Sequence, residues 1–370
     1  KWEVSDPPGD WEWKTHAFNT TEGTWMNLDV SPDGKTVVFD LLGDIYSMPI
    51  TGGKAKALRT GIPFEIQPRF SPDGKYISFT SDAGGGDNIW VMKADGSEAR
   101  QITKESFRLI NNAIWKDEHY LIARKHFTSQ RSLGAGEMWM YHISGGSGLQ
   151  LTKRKNDQQD VNEPCLSPDK KWLYYSEDMY PGGYFQYNKD PSDQIYVINR
   201  YNLVTGKTER VTGGPGGAAR PQISLDGKLL AFVKRVRAKS VLYIHNLETG
   251  EEYPVYDQLN KDQMEAWCLF GVYTNFQWLP DNEHLVFWAG GRINKLNVNT
   301  LKAENIPFEA DVKVQINKAL EFENPAYTKE FDAKVIRQAL TSPDESRIVF
   351  NAVGHLWSRS LPRGKPRRLT

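Results

Sequence analysis

The tetrapeptide Ser-Pro-Asp-Gly stands at residues 31 and 71, and variants follow as SPDK at 167, SLDG at 224, LPDN at 279 and SPDE at 342. A degraded copy, KDEH at 116, fills the remaining gap, so seven turns recur at spacings of 40 to 63 residues. A repeat constrains the fold more than composition can, because every copy must build the same small unit. A short segment such as QPRF or EPCL precedes the turn, and an apolar strand such as KTVVFD, KYISFT or HLVFWA follows it. A third strand carries an aromatic in nearly fixed place, and a fourth often ends in Leu-Thr or Val-Thr. The sixth unit departs from the third-strand pattern with RINKL.

Proline presets φ at the second turn position, aspartate bonds the local backbone and glycine accepts positive φ. Asp33, Asp73, Asp169, Asp226, Asp281 and Asp344 are therefore expected to be structural. Four antiparallel strands in roughly 40 to 55 residues, repeated seven times, predict an all-β chain: a seven-bladed β-propeller of four-stranded antiparallel blades. The blades fall at about 20–60, 61–104, 105–154, 155–213, 214–258, 259–309 and 335–370, making 1–370 a single propeller domain. The third-strand aromatics Tyr46, Trp90, Trp139, Tyr196, Tyr243 and Trp357 are expected to pack between neighbouring blades. The segment WKTHAFN at 13–19 reads as a surplus fourth strand. It is expected to close the ring on the edge of the last blade, since an open propeller leaves unpaired edges.

The 46 basic and 46 acidic side chains balance, which removes the electrostatic case for nucleic acid. No apolar run approaches the roughly 18 residues of a membrane-spanning helix. Cys165 and Cys268 lie far apart with no metal-type spacing and read as buried thiols. The start at KWEVSDPPGDW, without a methionine, suggests a trimmed chain. Few cysteines and many Trp and Tyr fit an exported protein, periplasmic or extracellular.

If the turns join first and second strands at one end of the ring, the long insertions 127–136, 178–193, 259–273 and 309–334 gather at the other end. Four residues before each turn stand Asn27, Gln67, Asn112, Glu163, Arg220, Asn275 and Gln338, polar in every repeat, while the next position is apolar in every repeat. A period-2 switch at the start of the innermost strand predicts a polar ring at the channel rim, serving either to hold water or to bind a ligand. On that reading Arg220→Ala leaves folding intact and weakens whatever binds the channel mouth.

Basic residues flank the ring, with Arg124, His126 and Arg131 in the third repeat and Arg235 in the fifth, and could hold a small anionic ligand or an acidic partner surface. Tyr180, Tyr184 and Tyr187 in DMYPGGYFQYNKDP suggest docking against another domain. Catalytic patterns are missing. The sequence has no Gly-x-Ser-x-Gly and no His-Glu-x-x-His, and DAGGGDN at 82–88 lacks the Gly-Lys-Ser/Thr of a phosphate loop. No catalytic residue, metal ligand or cofactor is assigned to this chain.

The SPDG turn, the IWVMKADG strand and endings such as RQIT resemble the TolB-type, WD40-like repeat over residues 20 to 370. That repeat also builds the propellers of tricorn peptidase and of prolyl-oligopeptidase relatives. The segments EGTWMNLDVSPDG, LLGDIYSMPITGGKAKALRTG, RKHFTSQRSLGAGEMWMYH and GLQLTKR are similar to the N-terminal propeller of exported amidohydrolase-related proteins. The resemblance implies an accessory propeller for a metal-dependent barrel hydrolysing non-peptide C–N bonds. Its His-x-His ligands and a divalent metal such as zinc would lie beyond Thr370, because the seven histidines here are isolated from one another. The alternatives are a TolB-like module binding another protein at the cell envelope, and the gating propeller of a serine peptidase.

Overall fold

Five of the seven repeat turns are held by the same hydrogen bonds. In the first, Ser31 Oγ donates to Asp33 Oδ1 at 2.6 Å, the Lys35 N–H donates to the same oxygen at 3.1 Å, and the Thr36 N–H donates to Ser31 Oγ at 2.9 Å. The pattern returns at Ser71–Asp73, Ser167–Asp169, Ser224–Asp226 and Ser342–Asp344. The degraded copy keeps the role, with Asp117 accepting the N–H groups of His119 and Tyr120. These aspartates shape hairpins, as their spacing implies.

The computed structural model describes residues 3–106, 109–128, 134–179, 189–190, 193–266, 268–318 and 327–370. Among them there is no helix, and every repeat forms a four-stranded antiparallel sheet with its strands in chain order. The expectation of an all-β propeller with four-stranded antiparallel blades therefore holds. The chain divides into two units, 1–317 and 318–370.

In the first unit, six sheets form blades at residues 28–59, 65–101, 109–150, 161–212, 219–256 and 277–306. Their first strands touch in sequence, and the sixth (Gln277–Trp278) returns to the first (Leu28–Val30). Apolar side chains fill the gaps between blades. Ile45 packs with Phe79, Ile89 with Ala123, Ile122 with Leu173, and Tyr174 with Phe232, with Trp90, Trp139 and Tyr243 against these clusters. The closing gap is the largest cluster, where Ala231, Trp278, Phe287, Met26, Phe39 and Tyr46 meet. Burying such side chains stabilises by about 1.5–3 kcal/mol each.

The ring thus closes with six blades, which corrects the expected seven. The seventh repeat builds its own sheet in the second unit, from Arg337–Thr341, Arg347–Ala352, His355–Ser360 and Arg367–Arg368. Its first strand is exposed along its length.

The N-terminal strand is also placed differently from expectation. Trp13–Thr20 pairs antiparallel with Phe308–Asn317, which in turn pairs parallel with Gly53–Lys54. The insertion expected at 309–334 begins instead as a strand. Its alternation puts Phe308, Ala310 and Val312 in the core while the residues between them face solvent, the period of a half-buried strand.

Candidate functional site

The six residues four positions before the turns of blades one to six are all buried. Gln67, Asn112, Glu163 and Arg220 have left-handed φ of 59°, 51°, 60° and 56°, at a bulge that shifts the register of each first strand. Left-handed backbone is costly outside glycine, and here it turns the N–H groups of Gln67, Asn112 and Arg220 toward the preceding blade. The Gln67 N–H donates to Asp40 Oδ2 at 2.8 Å, the Asn112 N–H to Gln67 Oε1 at 2.9 Å, and the Arg220 N–H to Glu163 Oε2 at 2.6 Å. Asn112 Nδ2 donates to Asn162 Oδ1 at 2.7 Å, and that oxygen also accepts the Glu163 N–H. Arg220 Nη1 donates to Asn275 Oδ1, the Asn275 N–H to Asn27 Oδ1 at 3.1 Å, and Asn27 Nδ2 to Asp40 Oδ2 at 2.8 Å. The circuit passes through all six blades and returns to its start.

The predicted polar ring therefore exists with six members, but as a buried fastening and not as an open rim. Gln338 is exposed in the second unit, although its φ of 56° keeps the same bulge. The arginine expectation also changes. Arg220 is buried, its Nε donates to Tyr273 O at 2.9 Å and lies 3.3 Å from Glu163 Oε1. Burial lowers its pKa to about 10 against the raising effect of Glu163. Arg220→Ala should consequently weaken folding, not spare it.

The ring is covered at one end by the connection between blades five and six. Three successive carbonyls of this segment accept hydrogen bonds from three other blades. Gln67 Nε2 reaches Phe270 O at 2.8 Å, Asn111 Nδ2 reaches Leu269 O at 3.0 Å, and Asn162 Nδ2 reaches Cys268 O at 3.2 Å. The Val272 N–H donates to Glu163 Oε1. Gly271 is required where the segment passes Arg220. Its φ is +106°, and a Cβ would sit 2.2 Å from Arg220 Nη2. The connection thus forms a plug across the axis, a role that its length alone did not disclose.

The flanking arginines serve this plug. Arg124 forms a bidentate pair with Asp160 at 2.9 and 2.7 Å and donates from Nη1 to Leu269 O at 3.2 Å. Arg235 binds Asp262 at 2.9 and 2.6 Å and Glu265 at 2.9 and 3.0 Å. Both are buried, so neither guanidinium is free for an anionic ligand or an acidic partner, and that expectation is corrected for these two residues. His126 is also buried, in the second strand of blade three. Arg131, Tyr180, Tyr184 and Tyr187 lie outside the described residues. Both cysteines are buried free thiols, as expected. No helix among the described residues is long and apolar enough to cross a membrane, and no group of three or more His, Cys, Asp or Glu among them could hold a metal.

At the other end, beside the repeat turns, the channel opens into a cavity of about 340 Å³. The sequence pointed to the loop-rich face, yet the plug occupies that end and the turn end holds the space.

Burial sets the titration of several carboxyls. It raises Asp40 to about 7, opposed by three N–H donors, raises Asp44 to about 7, and raises Asp87 to about 6. Groups with raised folded-state pKa values bind protons more tightly when folded, so stability falls as pH climbs from about 4 to about 7. Asp73 and Asp344 are held near 2, first by their turn serines, and their contribution is lost as pH falls below about 4. Urea midpoints should therefore be higher at pH 5 than at pH 8, and an equal or reversed order would show that burial does not control these carboxyls.

Comparison with known proteins matches residues 15–185 to the TolB β-propeller domain. The uncharacterized peptidase YuxL of Bacillus subtilis is 29% identical over 177 residues, covering 46% of this chain and 24% of that protein, so the chain spans about a quarter of that relative's length. The crystal structure of TolB from Acinetobacter baumannii aligns over 77% of this chain and 65% of its own, with a TM-score of 0.57 at 15% identity. A putative TolB from Agrobacterium tumefaciens aligns over 74% and 96%, with a TM-score of 0.51 at 19% identity. At such identities the structural likeness establishes the fold alone. The repeat turns and the four-stranded blades agree with these likenesses, so the chain has a β-propeller fold similar to that of TolB, with the domain match confined to residues 15–185.

Proposed function

We propose that this chain is a non-catalytic recognition propeller of an exported, metal-dependent amidohydrolase-like enzyme. It would dock against a catalytic domain that hydrolyses non-peptide C–N bonds and carries a divalent metal such as zinc, in the periplasm or outside the cell. The observation that carries this reading is how the axial charges are used. Glu163, Arg220, Arg124, Asp160, Arg235 and Asp262 are engaged with one another and with the plug, which leaves them to hold architecture and not to turn over substrate. The segments that resemble amidohydrolase-associated propellers supply the parent chemistry.

A second reading, the gating propeller of a serine peptidase, draws on the likeness to YuxL. The plug weighs against it, since a peptide could not thread the axis past hydrogen bonds to three blades. The third reading, a protein-binding module of the cell envelope, needs no catalytic domain.

The test is to read the frame past Thr370 and to assay the 370-residue chain and the full-length product on N-acyl amino acids and cyclic amides, with zinc and after chelation. The 370-residue chain should be inactive throughout, and the full-length product active only with metal. Turnover by the 370-residue chain, or a downstream Gly-x-Ser-x-Gly in place of His-x-His, would sink the proposal.

A further inference from the structure

Two residues before each turn, the innermost strands of the six blades present Asp29, Arg69, Ile114, Cys165, Gln222 and Gln277 to the cavity at the turn end. Four of these side chains join in an arc across blades two, one, six and five. Arg69 Nη1 donates to Asp29 Oδ1 at 3.5 Å, Gln277 Nε2 donates to the same oxygen at 2.8 Å, and Gln222 Nε2 donates to Gln277 Oε1 at 2.8 Å. Both Asp29 oxygens are engaged, because Oδ2 accepts the Phe70 N–H at 2.8 Å. Blades three and four complete the wall with the aliphatic Ile114 and the protonated thiol of Cys165, whose pKa burial raises to about 11. The floor thus has four polar members and two apolar ones.

The unmet bonding capacity sits at the arginine end. Arg69 is 6% exposed, yet among the described residues only Nη1 has a side-chain partner, and that contact is long. Nε and Nη2 have none. A guanidinium has five N–H donors in a planar fork that matches a carboxylate. Its backbone is fixed from the neighbouring blade, where Trp115 Nε1 donates to Arg69 O at 3.0 Å. The mouth of the cavity is apolar, rimmed by Pro32, Pro72, Pro168, Pro280 and Leu225. Both Asp29 oxygens already accept hydrogen bonds and Arg69 lies beside them, which disfavours a cation, whereas an anion finds an unfilled fork. The cavity volume lies at the small end of the roughly 300–1,000 Å³ range of ligand pockets.

We propose that this cavity binds a carboxylate anchored by Arg69, presented either by a small organic acid with an apolar body or by the C-terminal residue of a peptide. The acid group would take the free Nε and Nη2 edge, and the body would fill the space against Ile114 and the proline rim. The site is independent of the amidohydrolase reading, because it needs no second domain.

The test is an NMR titration of the 370-residue chain with benzoate and N-acetyl-leucine, using benzamide and N-acetyl-leucinamide as matched neutral controls. The indole N–H groups of Trp115 and Trp278 are the reporters, since they bond the carbonyls of Arg69 and Gln222 at the two ends of the arc. Both should shift with a saturable acid, and each amide should bind at least about tenfold more weakly. Saturation by both acids identifies a small-acid site, and saturation by N-acetyl-leucine alone identifies a peptide terminus. Arg69→Lys keeps the charge but loses the fork and should cost at least about tenfold in acid affinity. Equal responses to acid and amide, or no saturation by either acid up to about 10 mM, overturn the proposal in the unmodified protein, whether or not the variant folds.

Discussion

Glu163→Ala is expected to lower the unfolding free energy of the ring by about 3–5 kcal/mol, the usual cost of removing one partner of a buried ion pair. Glu163 is fully buried, and its two oxygens accept from the N–H groups of Arg220 and Val272 and from Ser176 Oγ. Truncation leaves the Arg220 guanidinium uncompensated in a buried site and removes the acceptor of the Val272 and Tyr273 N–H groups in the plug. Glu163→Gln keeps two oxygen or nitrogen positions but no charge, and should cost less than the alanine. Urea unfolding monitored by tryptophan fluorescence measures both variants. A loss under about 1 kcal/mol for Glu163→Ala would mean that the circuit does not bear on stability.

Arg235→Ala carries the second large effect, again about 3–5 kcal/mol, and it acts on the plug. Four hydrogen bonds to Asp262 and Glu265 disappear, and the Asp262 carboxylate, wholly buried, keeps only Ser240 and the Met264 N–H. The segment between residues 257 and 276 should become the first site of cleavage in limited proteolysis, ahead of the blades. The pair Arg235→Met with Asp262→Leu should recover part of the stability, since an apolar pair avoids burying a charge. Unchanged proteolysis of Arg235→Ala would show that the carbonyl contacts of residues 268–270 hold the plug unaided.

The local units were legible because their causes are local. The Ser-Pro-Asp-Gly turns encode their own hydrogen bonds within five residues, and the apolar strands after them encode their buried faces, so the blades appear where the repeat puts them. Blade number was not legible in the same way. Seven repeats are present, but the ring is closed by the Asn275 N–H on Asn27 Oδ1 and by Trp278 packing near Met26, contacts separated by about 250 residues that no repeat can announce. The polar position was found at every blade, yet its use was missed, since a left-handed φ at Gln67 or Glu163 cannot be seen in a polar letter. Plug and cavity were missed together. Once residues 268–273 cross the axis, the loop-rich end is filled and the open space must lie beside the turns. The strand Phe308–Asn317 was missed within the insertion expected at 309–334, although the alternation of its first residues is written in the sequence.

The pairing of Trp13–Thr20 with Phe308–Asn317 joins residues about 300 positions apart, and it lies against the outer edge of the first blade. A nascent chain therefore carries an unmated edge at residues 13–20 until nearly the whole first unit has been made. Contacts of such long range make folding slow and leave sticky intermediates. The first unit cannot complete this sheet before residue 317 has been made, so a cell must keep the growing polypeptide apart from its neighbours until the clasp can form.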